Sequence, residues 1–232
     1  MPHAERAGAG SRVPVGFRLY LVTDRRQAAG GDLVGAVGRA LAGGVQAVQL
    51  RENDLGARAL LELARRLREM TSRHGAKLLI NDRVDIALAS GADGVHLGAA
   101  SLPPEEARRI LGKDRLVGCS THGREELAAA AAGGADYVTF GPVFATPSKA
   151  RYGPPQGVDA LRRACGSSGL PVFGIGGIGQ ENVAEVVAAG SYGIAAISAL
   201  LAADDPGAAA SEMRRRLEST LATHREGQEE RS

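Results

Sequence analysis

Short apolar runs recur along the chain, each followed by a stretch with helical periodicity. The runs lie at 18–23 (RLYLVT), 45–51 (VQAVQLR), 77–81 (KLLIN), 94–97 (GVHL), 115–120 (RLVGCS), 137–140 (YVTF), 171–175 (PVFGI) and 193–198 (GIAAIS). They are rich in Val, Ile and Leu on both parities, which predicts parallel strands covered on both faces. Between them lie Ala-, Leu- and Arg-rich segments such as 57–74 and 123–134. Gly43, Gly44, Gly75, Gly91, Gly133, Gly134 and Gly190 stand where helices would end. Pro103 and Pro104 suit the first turn of another helix.

This pattern predicts eight strands and eight helical segments, the last over 206–224. Eight such units imply an α/β fold, the (β/α)8 or TIM barrel, as a single domain. An open doubly wound sheet would carry G-x-G-x-x-G after its first strand. Here the first strand runs into VTDRRQ. Residues 1–16 are expected to form a disordered extension, 17–224 the barrel and 225–232 a polar tail.

Composition narrows the partners. The 232 residues carry 28 basic and 26 acidic side chains, so no basic footprint for nucleic acid is present. No apolar run approaches the ~18 residues of a membrane span. The N-terminus lacks the apolar region of a signal peptide. Cys119 and Cys165 have no metal-ligand spacing and are expected to be free thiols. The expectation is a cytoplasmic protein acting on small molecules, without nucleic-acid or membrane partners; a homo-oligomer is compatible with it.

In a (β/α)8 barrel the reactive groups sit at the C-terminal ends of the strands and in the loops that follow. Those positions hold Thr23-Asp24, Gln49 to Asn53, Asn81-Asp82-Arg83, His96 to Ser101, Ser120-Thr121-His122, the 141–153 loop, Gly176-Gly177-Ile178 and Ile197-Ser198. The GIGGIG run at 174–179 is expected to open helix seven and bind phosphate through backbone N–H groups and the helix terminus; a tight turn would need the same glycines. Thr146, Ser148 and Lys149 add hydroxyls and an ammonium beside it, in a chain with only three lysines. Arg51 could grip a second anion bidentately or pair with Glu52 or Asp82. Asp82 could bind Mg2+ or cap helix three. His96 reads as a satisfied core imidazole. His122 could do acid/base work or cap helix five.

Taken together, YLVTD (20–24), VQLRE (48–52), IND (80–82), GADGVHLG (91–98), GCSTH (118–122), GADYVTFGPVFATPSK (134–149), GIGGI (174–178) and ISALL (197–201) resemble thiamine phosphate synthase and its close relative thiazole tautomerase. The synthase joins a hydroxymethylpyrimidine diphosphate to a thiazole phosphate and releases pyrophosphate. The resemblance implies that Gln49, Arg51, Asn81 and Lys149 hold the diphosphate, with Mg2+ at Asp82. It assigns Ser120 to the pyrimidine amino group, and Thr146, Ser148, Gly177, Ile197 and Ser198 to the thiazole phosphate. Lys149, Arg51, Ser120 and His122 are the catalytic candidates. Three departures fall on the diphosphate–metal half. Asn53 stands where the family has lysine, Ala99 where it has glutamine, and Ser101 where it has the second metal carboxylate. Ser101 could still reach Mg2+ through its hydroxyl or a water. The tautomerase, which isomerises the thiazole phosphate by proton transfer and needs no metal, is the alternative those departures favour. A non-catalytic binder of thiazole or thiamine phosphates is a third reading.

Overall fold

The computed structural model describes residues 13–146 and 154–229, with side chains through 223. Its strands are β1 (Leu19–Val22), β2 (Ala47–Leu50), β3 (Lys77–Asn81), β4 (Gly94–Leu97), β5 (Leu116–Thr121), β6 (Tyr137–Phe140), β7 (Val172–Ile175) and β8 (Gly193–Ala196). All pair in parallel and in chain order, and β8 returns to β1 with Leu19 opposite Ile194, closing the barrel. The helices are α1 (Leu33–Ala42), α2 (Ala57–Arg73), α3 (Val84–Ser90), α4 (Pro104–Leu111), α5 (Arg124–Ala132), α6 (Val158–Ser167), α7 (Val183–Ala188), α8 (Ser198–Leu201) and α9 (Pro206–Glu229).

Strand periodicity divides the core in two. Leu19, Leu21, Val48, Leu50, Leu78, Ile80, Val95, Val117, Val138 and Ile194 face the helices in one apolar cluster. Their neighbours Tyr20, Ala47, Leu79, Leu116, Tyr137, Phe173 and Ala195 fill the barrel interior, with Phe17 beneath them. The helices answer the outer face with single stripes. On α2 the buried residues Leu60, Ala64, Leu67 and Thr71 follow the helical period. Each buried leucine contributes roughly 1.5–3 kcal/mol.

A fourfold device ties the strand starts together at the N-terminal end. Residues just before the even strands accept backbone N–H groups from the odd strands that precede them. Gln46 takes those of Arg18 and Leu19 at 2.9 and 3.2 Å, and Asp93 takes Leu78 at 2.8 Å. Asp136 takes Val117 at 2.8 Å, and Ser191 takes Gly174 at 3.0 Å. The two aspartates are each clamped by an arginine of a covering helix, Arg68 of α2 on Asp93 and Arg108 of α4 on Asp136.

The structure differs from expectation at the ends and in the last unit. Val15 is already buried, and α9 runs on to Glu229. The eighth unit has two helices rather than one. Asp205 accepts from Gly207 and Ala208 at 2.9 and 3.1 Å, starting α9 afresh with Pro206 in its first turn.

Asp136→Ala should lower the unfolding free energy by about 1–3 kcal/mol, because it leaves the buried Val117 N–H unpaired and takes the carboxylate from Arg108, which keeps only backbone carbonyls. Asp159→Ala, which breaks only an exposed pair with Arg162, should cost under about 1 kcal/mol. Urea denaturation of the two variants tests the contrast; equal losses would refute the clamp.

Candidate active site

The inward positions of the strands change character along the barrel. Ala47 gives way to Gln49 on β2, Leu79 to Asn81 on β3, Leu116 to Ser120 on β5, and Tyr137 to Thr139 on β6. With His96 on β4 they form a polar layer at the C-terminal mouth. Gln49, His96 and Thr139 are buried there, and Asn81 and Ser120 are half-buried. Gly118 makes room for this layer, since a Cβ on it would lie 2.1 Å from the Tyr137 ring.

The layer is hydrogen-bonded end to end. Asn81 Nδ2 donates to Asp82 Oδ2 at 2.8 Å, and Gln49 Nε2 donates to Asn81 Oδ1 at 2.9 Å. Tyr20 Oη donates to Gln49 Oε1 at 3.0 Å and lies 3.1 Å from Tyr137 Oη. Tyr137 Oη is 3.2 Å from His96 Nδ1, and His96 Nε2 is 3.0 Å from Ser120 Oγ. Among the described residues no buried side-chain nitrogen or oxygen lacks a partner. Burial pushes the His96 pKa down to about 4, with the positive Arg51 adding to the effect and Asp82 opposing it. Burial likewise raises both tyrosine pKa values.

Asp82 does not cap helix three. The residue preceding α3 is Arg83, and Asp82 is held at φ 59°, the left-handed region. Its backbone N–H donates to the His96 carbonyl at 3.0 Å, and its carboxylate accepts from the Ser101 hydroxyl. Gly98 N–H also reaches it at 3.4 Å. Asn53 is brought to the same corner, with its Oδ1 3.3 Å from Asn81 Nδ2. Arg51 is paired with neither expected carboxylate. Glu52 is buried and bound instead to Arg25, through the backbone N–H at 3.0 Å and the guanidinium at 3.2 Å. The Arg51 N–H donates to Thr23 Oγ1 at 2.9 Å, fixing the chain at the end of β2.

The loops after β6 and β7 are stitched together. Val143 and Phe144 donate to the carbonyls of Ile175 and Gly176 at 2.9 and 3.0 Å. Gly177 has φ 63°, and a Cβ there would lie 2.7 Å from both the Ala145 carbonyl oxygen and the Phe144 Cβ. This close approach places Thr146 beside the glycine turn, while Ser148 and Lys149 lie outside the described residues. The glycine run does not open helix seven: α7 starts only at Val183. Asn182, which precedes it, instead holds the turn by accepting from Gly179 N–H and donating to the Gly177 carbonyl, both at 2.9 Å. Ile197 and the exposed Ser198 begin α8 on the neighbouring strand. His122 is exposed. Its backbone N–H and its Nδ1 both contact Glu126 Oε2, at 2.6 and 3.1 Å, and Gly123 rather than His122 precedes α5.

Sequence reasoning missed the roles of Tyr20, Tyr137, Thr23 and Asn182. A tyrosine in an apolar strand reads as core, and only the inward parity of Tyr137, two positions below Thr139, hinted at more.

A closed parallel barrel with a polar layer at its C-terminal mouth and a glycine turn after β7 defines the class, an enzyme-type (β/α)8 barrel. The chain belongs to the thiamine monophosphate synthase family, whose model matches residues 19–200, and it is a transferase of that family. It is 59% identical over 192 residues to a Geobacter sulfurreducens protein described as "Putative thiamine-phosphate synthase", covering 83% of this chain and 90% of the relative. It is 47% identical over 191 residues to the thiamine-phosphate synthase of Roseiflexus castenholzii, covering 82% and 84%. A solved thiamine phosphate pyrophosphorylase from Pyrococcus furiosus superposes with a TM-score of 0.81 at 38% identity, covering 88% of this chain and 97% of that one. Among the described residues no helix is long and apolar enough to cross a membrane.

Asp82→Gly should be more stable than Asp82→Ala by about 1–2 kcal/mol, since both lose the carboxylate but only alanine keeps a Cβ in the left-handed region. Equal urea midpoints would contradict that strain. His96 also predicts a pH dependence. Its folded pKa of about 4 lies below the ordinary 6.5, so its contribution is fully present above about pH 6.5 and is lost as pH falls toward 4. Unfolding free energies measured across that window should fall more steeply for the wild type than for His96→Gln.

Proposed function

We propose that this chain condenses 4-amino-2-methyl-5-hydroxymethylpyrimidine diphosphate with a thiazole phosphate to give thiamine phosphate and pyrophosphate. The observation that carries the reading is a convergence at one mouth. Amide, hydroxyl and carboxylate groups from β2, β3 and β5 meet there, across from a glycine turn too tight for any Cβ. Gln49, Arg51, Asn81 and Lys149 would hold the pyrimidine diphosphate, with Asn53 beside them. Ser120 would contact the pyrimidine amino group. Thr146, Ser148, Gly177, Ile197 and Ser198 would cradle the thiazole phosphate.

Oxygen donors at Asp82 and Ser101 fit Mg2+, which takes one or two carboxylates together with substrate phosphate oxygens and waters. Among the described residues no group of three or more His, Cys, Asp or Glu could hold a metal, so substrate oxygens would complete the shell. When bound, the ion would neutralise charge on the diphosphate. The Asp82 carboxylate already accepts from the Ser101 hydroxyl, which keeps both oxygen donors at one point.

The chemistry asks for positioning and charge stabilisation rather than proton transfer. The bond between the methylene carbon and the diphosphate oxygen breaks, and its electron pair leaves with pyrophosphate. The electron-rich aminopyrimidine stabilises the carbon left behind, and the thiazole nitrogen lone pair forms the new carbon–nitrogen bond. Arg51 and Lys149 would draw charge onto the leaving group, and the buried layer would keep water from the carbon. No base is required, which suits a site whose only buried imidazole is held neutral among the described residues. The tautomerase alternative would need His122 as acid and base, but that side chain is tied to Glu126 on the helix side of the rim.

Purified protein given both substrates should form thiamine phosphate with Mg2+ and not with EDTA, followed by chromatography. Lys149→Ala and Asp82→Ala should each reduce coupling by about 10²-fold or more, while His122→Ala should stay within the same order of magnitude. Absence of product, with thiazole phosphate still bound and His122→Ala blocking its isomerisation, would transfer the assignment to the tautomerase.

A further inference from the structure

The hydrogen-bond chain across the barrel has a direction, and its direction is set at one end by a charge. The Asp82 carboxylate can only accept, so the amide nitrogen of Asn81 must face it. Asn81 Oδ1 then accepts from Gln49 Nε2, which turns Gln49 Oε1 toward Tyr20. Tyr20 spends its one hydroxyl proton on Gln49, so Tyr137 must be the donor in the contact between the two phenols. With its proton committed, the Tyr137 oxygen accepts from His96, which places the imidazole proton on Nδ1. His96 is buried, and both of its ring nitrogens face hydroxyls rather than carboxylates, so a second proton would be an unpaired buried charge. Nε2 is therefore a lone-pair acceptor. Ser120 Oγ at 3.0 Å is its nearer partner, with Thr139 Oγ1 further away at 3.4 Å. Ser120 donates inward and presents only lone pairs to the mouth.

We infer that Tyr20, Tyr137 and His96 are positioning residues that hold the Ser120 hydroxyl as an obligate acceptor, so that the site selects a ring bearing a donor, an exocyclic amine, over one bearing a carbonyl oxygen. The inference rests on the pyrimidine reading of Ser120 given above. It adds that substrate polarity at one end of the layer is specified by the Asp82 carboxylate at the other. An oxo ligand would set two acceptors against each other in a desolvated site. Mismatches of this kind are discriminated far more strongly than differences of shape.

The first test is ¹⁵N NMR of histidine-labelled wild-type protein at neutral pH, with the His96 signals identified by their loss in His96→Gln. A pyrrole-type Nδ1 and a pyridine-type Nε2 are expected. A protonated Nε2, alone or in an imidazolium, would overturn the inference whatever the enzyme's activity. The second is calorimetric binding of the 4-amino pyrimidine diphosphate and its 4-oxo counterpart. Wild type should favour the amine by about 100-fold or more. Tyr137→Phe, which frees the imidazole to change tautomer, should narrow that preference by about tenfold. Equal affinities in the wild type, or an unchanged preference in a folded Tyr137→Phe, would also overturn it. If Nδ1 carries the proton but neither pyrimidine binds, the functional reading fails and the selectivity claim falls with it, while the NMR result still stands as to polarity.

Discussion

Polar side chains can line the top of a closed barrel only if every donor and acceptor that leaves water is met inside the protein. Here that condition is satisfied by one run of contacts from Asp82 through Asn81, Gln49, Tyr20, Tyr137 and His96 to Ser120. The residues come from six different strands or strand ends, so the barrel must close in one register for the run to exist. Low dielectric makes such a network strong when complete and costly when a single member is missing. The same arrangement therefore restrains the fold and orients the groups that would meet a substrate.

The interior is graded to allow this. Toward the N-terminal end, Phe17, Tyr20, Tyr137 and Phe173 pack ring against ring, with Phe17 and Phe173 centroids 5.1 Å apart. Below them, Arg18 stacks 3.6 Å over Tyr192. The two tyrosines belong to both regimes, burying their rings in the apolar plug and offering hydroxyls to the polar layer. Strain is placed above, at the mouth. Asp82 keeps a left-handed backbone because the His96 carbonyl, Ser101 and Asn81 all engage it. The glycine turn after β7 is likewise held by Asn182 from outside the barrel.

Much of the fold was legible because strand faces and helix stripes are statements about which residues avoid water, and these follow from local spacing. Seven of the eight apolar runs contain their strands, trimmed by at most two residues at either end, and β5 passes the end of its run by one residue, Thr121. The stretches before β4 and β6 both begin with GAD. The meaning of that repeat was not legible, because the matching acceptors before β2 and β8 are Gln46 and Ser191. Different side chains there perform one geometric task. The start of α7 was misplaced because a glycine run after a strand suits a loop and a helix entrance equally well, and Asn182 decides between them through tertiary contacts. Glu52 turned to Arg25 rather than Arg51 for a similar reason, since the loop after β1 brings Arg25 across.

The sequence by itself determined the class of barrel, the order of its units and the identity of nearly all groups at the mouth, because inward parity and strand-end position are local properties. Only the tertiary structure decided which of those groups join, which are left to face a ligand, and which atom of each donates. A hydrogen bond's direction depends on both partners, and every partner in this layer lies on another strand.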